Sequence, residues 1–391
     1  MPFRRPLALA LLACSVAACD SGRPAGESTD VVVTVAGTCA LSAQKPYLYV
    51  ASTSSVLACV AADGTVDTLA VDGAWFRGGF FQLRYLPAGT LVELFAAWTD
   101  RFDTRVGLLE SGSFRTLAPP DGAPPPSRAF STADDRRFLT TALERHDSGV
   151  RLTVRVHDLD LDVVWSAAVD LDVADLDVRL ADLYGDRAVV SVNPLVPSGS
   201  GGFQSLPHVV LLAFDLASGG VTVLDDEAPR TNALVLLDGA VYYASSADGQ
   251  SVVYRQPLAG GPPERVVDLG PIGDTFVRAD VARVGRNEVA SLVEDGDETR
   301  VVVFDAAGDA VRSALAGGAY NGVEASADGR SLCLRRYEAA WFPSTPRTDP
   351  LPETEQFATM DAATLQVVRR DTVALGPAAN DGYHFACAVG L

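Results

Sequence analysis

From residue 45 onward, short runs of Val, Leu, Phe and Tyr alternate with turns built from Asp, Gly and Ser, and long helical periodicity is absent. Short apolar runs bounded by turn formers predict strands, and many of them at close spacing predict an all-β domain. One unit recurs: an apolar strand, a tight turn, then a second strand. It reads as Val56–Leu69, Val106–Leu117, Leu152–Trp165, Val209–Leu224, Val252–Val267, Val301–Leu315 and Phe357–Arg370. The turns fall near Asp63, Ser111, Asp158, Asp215, Leu258, Asp305 and Asp361. Between copies a second hairpin turns at Pro87-Ala-Gly-Thr90, Asp134-Asp-Arg136, Tyr184-Gly-Asp186, Asp238-Gly239, Gly285-Arg-Asn287 and Asp328-Gly329.

Two hairpins per repeat give four antiparallel strands, and a step of roughly 43 to 57 residues is the length of one propeller blade. Seven copies predict a seven-bladed β-propeller over residues 45–391. The first copy is one strand short, with strands expected at Tyr47–Ala51, Val56–Val60 and Val66–Val71. Tyr383–Val389 reads as a strand with nothing after it to pair with. Setting it in the first blade closes the ring with the N- and C-terminal strands in one sheet. That removes a seam of unpaired backbone groups. Ser326-Ala-Asp-Gly-Arg-Ser-Leu resembles the turn-then-strand motif of TolB-like and WD40-like bacterial propellers, with Ala327 where that family has Pro. Thr132-Ala-Asp-Asp-Arg-Arg is a more degenerate copy, and the G-H and W-D signatures of WD40 repeats are missing.

The N-terminus changes the picture. Arg4 and Arg5 precede an uncharged apolar run, Leu7 to Ala18, too short to cross a bilayer. That layout is a secretory signal. Val16-Ala17-Ala18-Cys19 resembles the lipobox of bacterial lipoproteins, which implies cleavage before Cys19 and acylation there. Leu12-Ala13-Cys14 is a weaker competitor. Two or more acyl chains hold a protein on a membrane, each buried methylene contributing about 0.8 kcal/mol. The expected organisation is a signal at 1–18, a lipid-bearing flexible tether at 19–44 with one β-prone stretch at Val31–Val35, and the propeller after it. The expected location is the cell envelope, on the periplasmic face or the cell surface.

Charge narrows the partners. The formal charge is −19, and residues 1–18 hold two arginines and no acid, so the chain from Cys19 onward carries −21. Such a body repels phosphate backbones, which argues against nucleic acid. Envelope proteins, peptides or glycans remain, and the chain is expected to act as a monomer. Cys39, Cys59, Cys333 and Cys387 can pair in three ways in an oxidising compartment, and their spacing is not that of a zinc site.

Candidate chemistry is sparse. His146-Asp147-Ser148 has the composition of a triad, but three neighbours on a turn cannot point at one another, so a surface turn is expected. His157, His208 and His384 are the other histidines. No nucleophile elbow, zinc-protease motif or phosphate loop occurs. No cofactor is expected. Asp158, Asp160 and Asp162 alternate with Leu, which on a strand lines three carboxylates along one face. Ca2+, which takes six to eight oxygens, is one reading of that row. The preferred reading is a solvated outer strand.

Function is expected in the loops between second and third strands, where the long insertions lie. Loops on a rigid scaffold carry binding, and aromatic residues and Arg dominate contact energies. Trp98, Arg101, Phe102, Phe203, Trp341 and Phe342 are therefore the candidate binding residues. The expected role is a membrane-anchored binding or scaffold module. Two alternatives stand beside it: a propeller-fold lyase or hydrolase with an axial active site, which would need His, acidic or metal-binding groups converging on the axis, and a surface stalk with no small ligand.

Overall fold

The computed structural model describes residues 34–36, 47–52, 56–61, 66–72, 80–86, 89–97, 102–110, 113–117, 128–130, 136–199, 202–247, 250–271, 280–326, 329–336, 354–374 and 384–387. These belong to one unit, Val33–Leu391. Side chains are described across 136–336 with short breaks, across 356–370, and at Val106 and Leu117. Every regular element among the described residues is a strand.

The strands form antiparallel sheets in chain order. Sheet one holds β1 (Thr34–Ala36), β2 (Tyr47–Ser52), β3 (Val56–Ala61), β4 (Val66–Asp72) and the last strand of the chain, β30 (His384–Cys387). Its order is β1-β4-β3-β2-β30. Sheet two is β5 (Phe80–Leu86), β6 (Gly89–Ala97), β7 (Phe102–Glu110) and β8 (Ser113–Thr116). Sheet three is β9 (Arg128–Phe130), β10 (Arg137–His146), β11 (Gly149–Asp158) and β12 (Val163–Leu171). Sheet four is β13 (Asp175–Tyr184), β14 (Arg187–Pro197), β16 (His208–Asp215) and β17 (Val221–Pro229), with β15 (Phe203–Ser205) added to β14. Sheet five is β18 (Thr231–Leu237), β19 (Ala240–Ala247), β20 (Gln250–Pro257) and β21 (Glu264–Pro271). Sheet six is β22 (Val281–Val284), β23 (Glu288–Asp295), β24 (Glu298–Asp305) and β25 (Ala310–Leu315). Sheet seven is β26 (Gly322–Ala325), β27 (Ser331–Arg336), β28 (Thr354–Asp361) and β29 (Val367–Ala374).

Burial follows position in the sheet. Middle strands such as β24 are buried on both faces because a sheet packs on each side. Outer strands such as β12 alternate exposed and half-buried positions. The core is a set of layers between consecutive sheets. Leu152, Val154 and Val156 of sheet three meet Val190, Val192 and Phe214 of sheet four. Ala290, Leu292 and Val303 of sheet six meet Leu332, Leu334 and Met360 of sheet seven. Each such Val, Leu or Phe contributes about 1.5–3 kcal/mol of burial. The first strands of sheets four to seven, β13, β18, β22 and β26, neighbour one another in turn, and β30 lies beside β26 and β5.

All seven expected strand-turn-strand units coincide with strand pairs, from β3/β4 to β28/β29. Four of the turns share one device. Asp158 accepts the N–H groups of Asp160 and Asp162, Asp215 those of Ala217 and Ser218, Asp305 those of Ala307 and Asp309, and Asp361 that of Thr364. An Asp at a turn start mimics a backbone carbonyl, and this is why the type recurs there.

The acidic tract departs from expectation. Asp158 ends β11, and residues 159–162 make the turn, with Leu161 at a φ of 74°. The three carboxylates therefore do not line one face of a strand, because the Asp158 side chain is spent closing the turn. The surface turn expected at His146-Asp147-Ser148 is tight. β10 and β11 run to His146 and Gly149 as a facing pair, leaving a two-residue turn.

Candidate functional site

Three strand-to-strand connections carry the candidate binding residues. Trp98 and Arg101 lie in sequence between β6 and β7, and Phe102 opens β7. Trp341 and Phe342 lie between β27 and β28. Apart from the backbone of Phe102 in β7, these five fall outside the described residues and side chains, as does Cys19. Phe203 is described, in the connection between β14 and β16. All three connections join the second strand of a sheet to the third.

The Phe203 site is a built projection. β14 runs on past its pairing with β16 and pairs with β15, Leu195 opposite Ser205 and Pro197 opposite Phe203. The turn closes through the Ser198 N–H on the Gly202 carbonyl at 2.7 Å. At its root Asn193 donates from Nδ2 to the Ser205 hydroxyl at 3.0 Å. The Asn193 side-chain oxygen is buried with no partner among the described residues. Phe203 is 53% exposed at the tip.

Along the first and second strands of consecutive sheets, polar groups are tied to one another. Arg145 grips the Asp175 carboxylate through Nε and Nη2 at 3.0 and 2.9 Å. The Ser191 and Thr231 hydroxyls bridge sheets four and five at 2.8 Å. At the other end of β13, Asp182 meets Arg283 of β22 and the Leu236 N–H of β18. Arg283 also lies over the Tyr184 ring, 5.5 Å from its centre. Among the described residues no three His, Cys, Asp or Glu are grouped to hold a metal ion.

The histidines with described side chains lie on second and third strands, His146 in β10, His157 in β11 and His208 in β16. His146 ends β10, exposed beside the turn residues Asp147 and Ser148. His157 is a core residue, 1% exposed and stacked on Phe138 at 4.9 Å. One ring nitrogen lies 2.9 Å from the Thr140 hydroxyl, and the other faces the Leu161 carbonyl. Burial, with Arg155 adding to it, pushes this imidazole down to about 4. The folded state thus favours the neutral ring, while the unfolded chain takes up a proton below about 6.5. The stabilisation is full above that value and is lost as pH falls toward 4. Urea unfolding should show a loss of about 2–3 kcal/mol from this residue across that window. His157→Gln should flatten that part of the pH profile, and an unchanged profile would refute the assignment.

One groove among the described residues was not anticipated. It holds about 470 Å³ between sheets six and seven, at the end of the sheets opposite the Phe203 arm. Arg286, Glu288, Arg312, Arg330 and Asp361 line it. Arg312 is bidentate on Glu288 at 2.7 and 2.6 Å and also donates to the Ala362 carbonyl. Thr364, through its N–H and hydroxyl, holds the Asp361 carboxyl below the usual range. At its floor the turns of the two sheets touch: a Cβ on Gly329 would stand 2.5 Å from the Gly285 nitrogen. A glycine in each of two equivalent turns was the sequence signal for this approach.

No family model matches the chain, and no curated protein matches it. Solved structures do. A variant of apocarotenoid oxygenase from Synechocystis is 12% identical with a TM-score of 0.52, over 91% of this chain and 95% of that one. A prolyl endopeptidase is 12% identical with a TM-score of 0.50, over 84% of this chain and 50% of that one. The chain thus spans about half the length of that peptidase. TolB from Acinetobacter baumannii is 13% identical with a TM-score of 0.38, over 70% of this chain and 64% of that one. The fold is β-propeller-like, and at these identities the likeness is one of fold alone.

Proposed function

We propose that the protein is an exported seven-bladed propeller, lipid-anchored through Cys19, that presents its second-to-third-strand connections to an envelope protein, peptide or glycan. The observation that carries this reading is the Phe203 arm: an aromatic ring 53% exposed on a hydrogen-bonded hairpin. Burying such a ring against a partner yields large contact area at small entropic cost. Trp98, Arg101, Phe102, Trp341 and Phe342 belong to connections of the same class in sheets two and seven.

The blade count is supported by one sheet for each of the seven repeats. Closure is supported by β30, which pairs with β2 and so brings both ends of the chain into sheet one. The anchor is compatible with that placement. β1 is the outermost strand of sheet one, so a tether leaving it starts at the rim and leaves both faces free. About 14 residues separate Cys19 from β1, and at up to 3.6 Å each they span about 50 Å.

A photo-crosslinking residue at position 203 in the native cell tests the face, with one at Val368 on outer strand β29 as reference. A discrete adduct at 203 and none at 368 is expected; equal labelling at both positions removes the proposed face. Cys19→Ser tests the anchor. The variant should leave the membrane pellet in high salt, and its retention there would show that acylation is not what holds the protein.

A further inference from the structure

Cys333 is disulfide-bonded and buried, and strand register identifies its partner. On β27, Leu332 and Leu334 join the core shared with sheet six. Successive strand residues present to opposite faces. Cys333, between them, is on the face turned away from sheet six. The next neighbour on that side is sheet one, since β26 lies beside β30.

Sheet one offers two cysteine positions. Cys387 stands opposite Tyr49, which stands opposite Val60, whereas Cys59 stands opposite Val50. Positions 387 and 59 therefore belong to opposite faces of the sheet. Sheets three, four and seven tell which face meets the preceding one. Val60 is opposite Val66, the first residue of its outer strand. The same place is held by His157, Phe214 and Met360, opposite Val163, Val221 and Val367. Phe214 packs into the core shared with sheet three, and Met360 into the core shared with sheet six. His157 stacks on Phe138, which clusters with Val106 of sheet two. All three face the preceding sheet. By the same register the face of sheet one that holds positions 60, 49 and 387 is turned toward sheet seven.

The interface between sheets six and seven contains the equivalent pair. Ala325 is opposite Leu332, which is opposite Met360, so Ala325 holds the place of position 387. Ala290 is opposite Val303, as Cys333 is opposite Thr359. Ala290 belongs to the core cluster against which Ala325 packs.

We propose that Cys333 is bonded to Cys387, a covalent latch across the seam where the last strand completes the first sheet. The proposal rests on the closed-ring reading above. Forming the bond removes two protons and two electrons from the two thiols, and a disulfide oxidant takes them up and becomes a dithiol. The latch has a physical purpose, because β30 pairs with β2 at only four positions and so short a pairing holds weakly by itself.

Tryptic digestion of the unreduced, alkylated protein with mass spectrometry tests it. The expected product joins Ser331–Arg335 to Asp371–Leu391. A link from Cys333 to the peptide ending at Arg77, which holds both Cys39 and Cys59, overturns the proposal, as does a free Cys333. Hydrogen exchange at residues 384–387 reads the ring separately: protection there with a different linkage keeps the ring and removes the latch. Reduction should lower Tm by about 5 °C in the parent protein. Cys387→Ser should start lower by the same amount and lose correspondingly less on reduction; a variant as sensitive to reductant as the parent would count against the latch.

Discussion

Asp182→Ala is expected to cost about 3–5 kcal/mol of unfolding free energy, the cost of breaking a buried ion pair from one side. The carboxylate is engaged on both oxygens. One accepts the Leu183 N–H at 2.9 Å and the Arg283 guanidinium at 3.0 Å. The other accepts the Leu236 N–H and the second guanidinium nitrogen, each at 2.8 Å. The three donors belong to β13, β18 and β22, the first strands of three consecutive sheets. Side-chain exposure is 9% for Asp182 and 11% for Arg283, so water cannot replace the lost partner. Truncation leaves a desolvated cation and two backbone N–H groups without acceptors. Among the described residues Arg283 keeps its bond to the Leu236 carbonyl and its place over Tyr184.

A double-mutant cycle measures this directly. Asp182→Ala with Arg283→Met should cost less than the two single changes summed, because the second removes the charge that the first strands. Denaturation in urea gives each value. A single-variant loss below about 1 kcal/mol would mean that the clamp contributes no more than a surface pair. Added salt should change the effect little, since buried pairs are weakly screened.

The ladder of this fold was legible because its signals are local. Each third-to-fourth-strand turn at Asp158, Asp215, Asp305 and Asp361 announces itself by an Asp that closes its own turn within three or four residues. The apolar runs on either side needed only a two-residue period. What the sequence concealed is the joinery between sheets. Asp182 and Arg283 are 101 residues apart, and nothing near either marks the other. Asp280 repeats the device, accepting its neighbour Val281 N–H and the Val323 N–H of the next sheet. Local misreadings came from patterns with two meanings. Alternating Asp and Leu at 158–162 mimics a strand, yet Leu161 takes a left-handed turn that no periodicity reveals. The β-prone stretch near Val35 sat in an expected tether, but residues 34–36 add an edge strand to β4. Of the candidate site, Phe203 was legible as an aromatic in an insertion. Its exposure depends on the pairing of β15 with β14, which an apparently irregular Pro- and Gly-rich segment did not suggest. The groove between sheets six and seven was hidden for the same reason as the clamps, since its two walls come from different repeats.

Gly149→Ala should be nearly as damaging as the loss of Asp182, by about 3–4 kcal/mol, through strain rather than charge. Gly149 opens β11 directly after the two-residue turn and has a φ of 142°, a region that L side chains rarely adopt. A Cβ there would stand 2.2 Å from the Leu171 carbonyl oxygen and 3.2 Å from its carbon. That carbonyl is backbone of β12, the outer strand, and Val150 beside it is already paired with Leu171. Relief would require β12 to move off β11 near Leu171, beside a core position occupied by Val150. Gly185 in the neighbouring sheet supplies the control. It too has a positive φ, 55°, but an added Cβ would meet nothing within 4 Å. Gly185→Ala should therefore cost only the conformational term, about 1 kcal/mol. Comparing the two variants by urea unfolding separates clash from φ preference. Equal losses would mean that the strand yields freely at Leu171 and that the close approach at Gly149 is not what demands glycine.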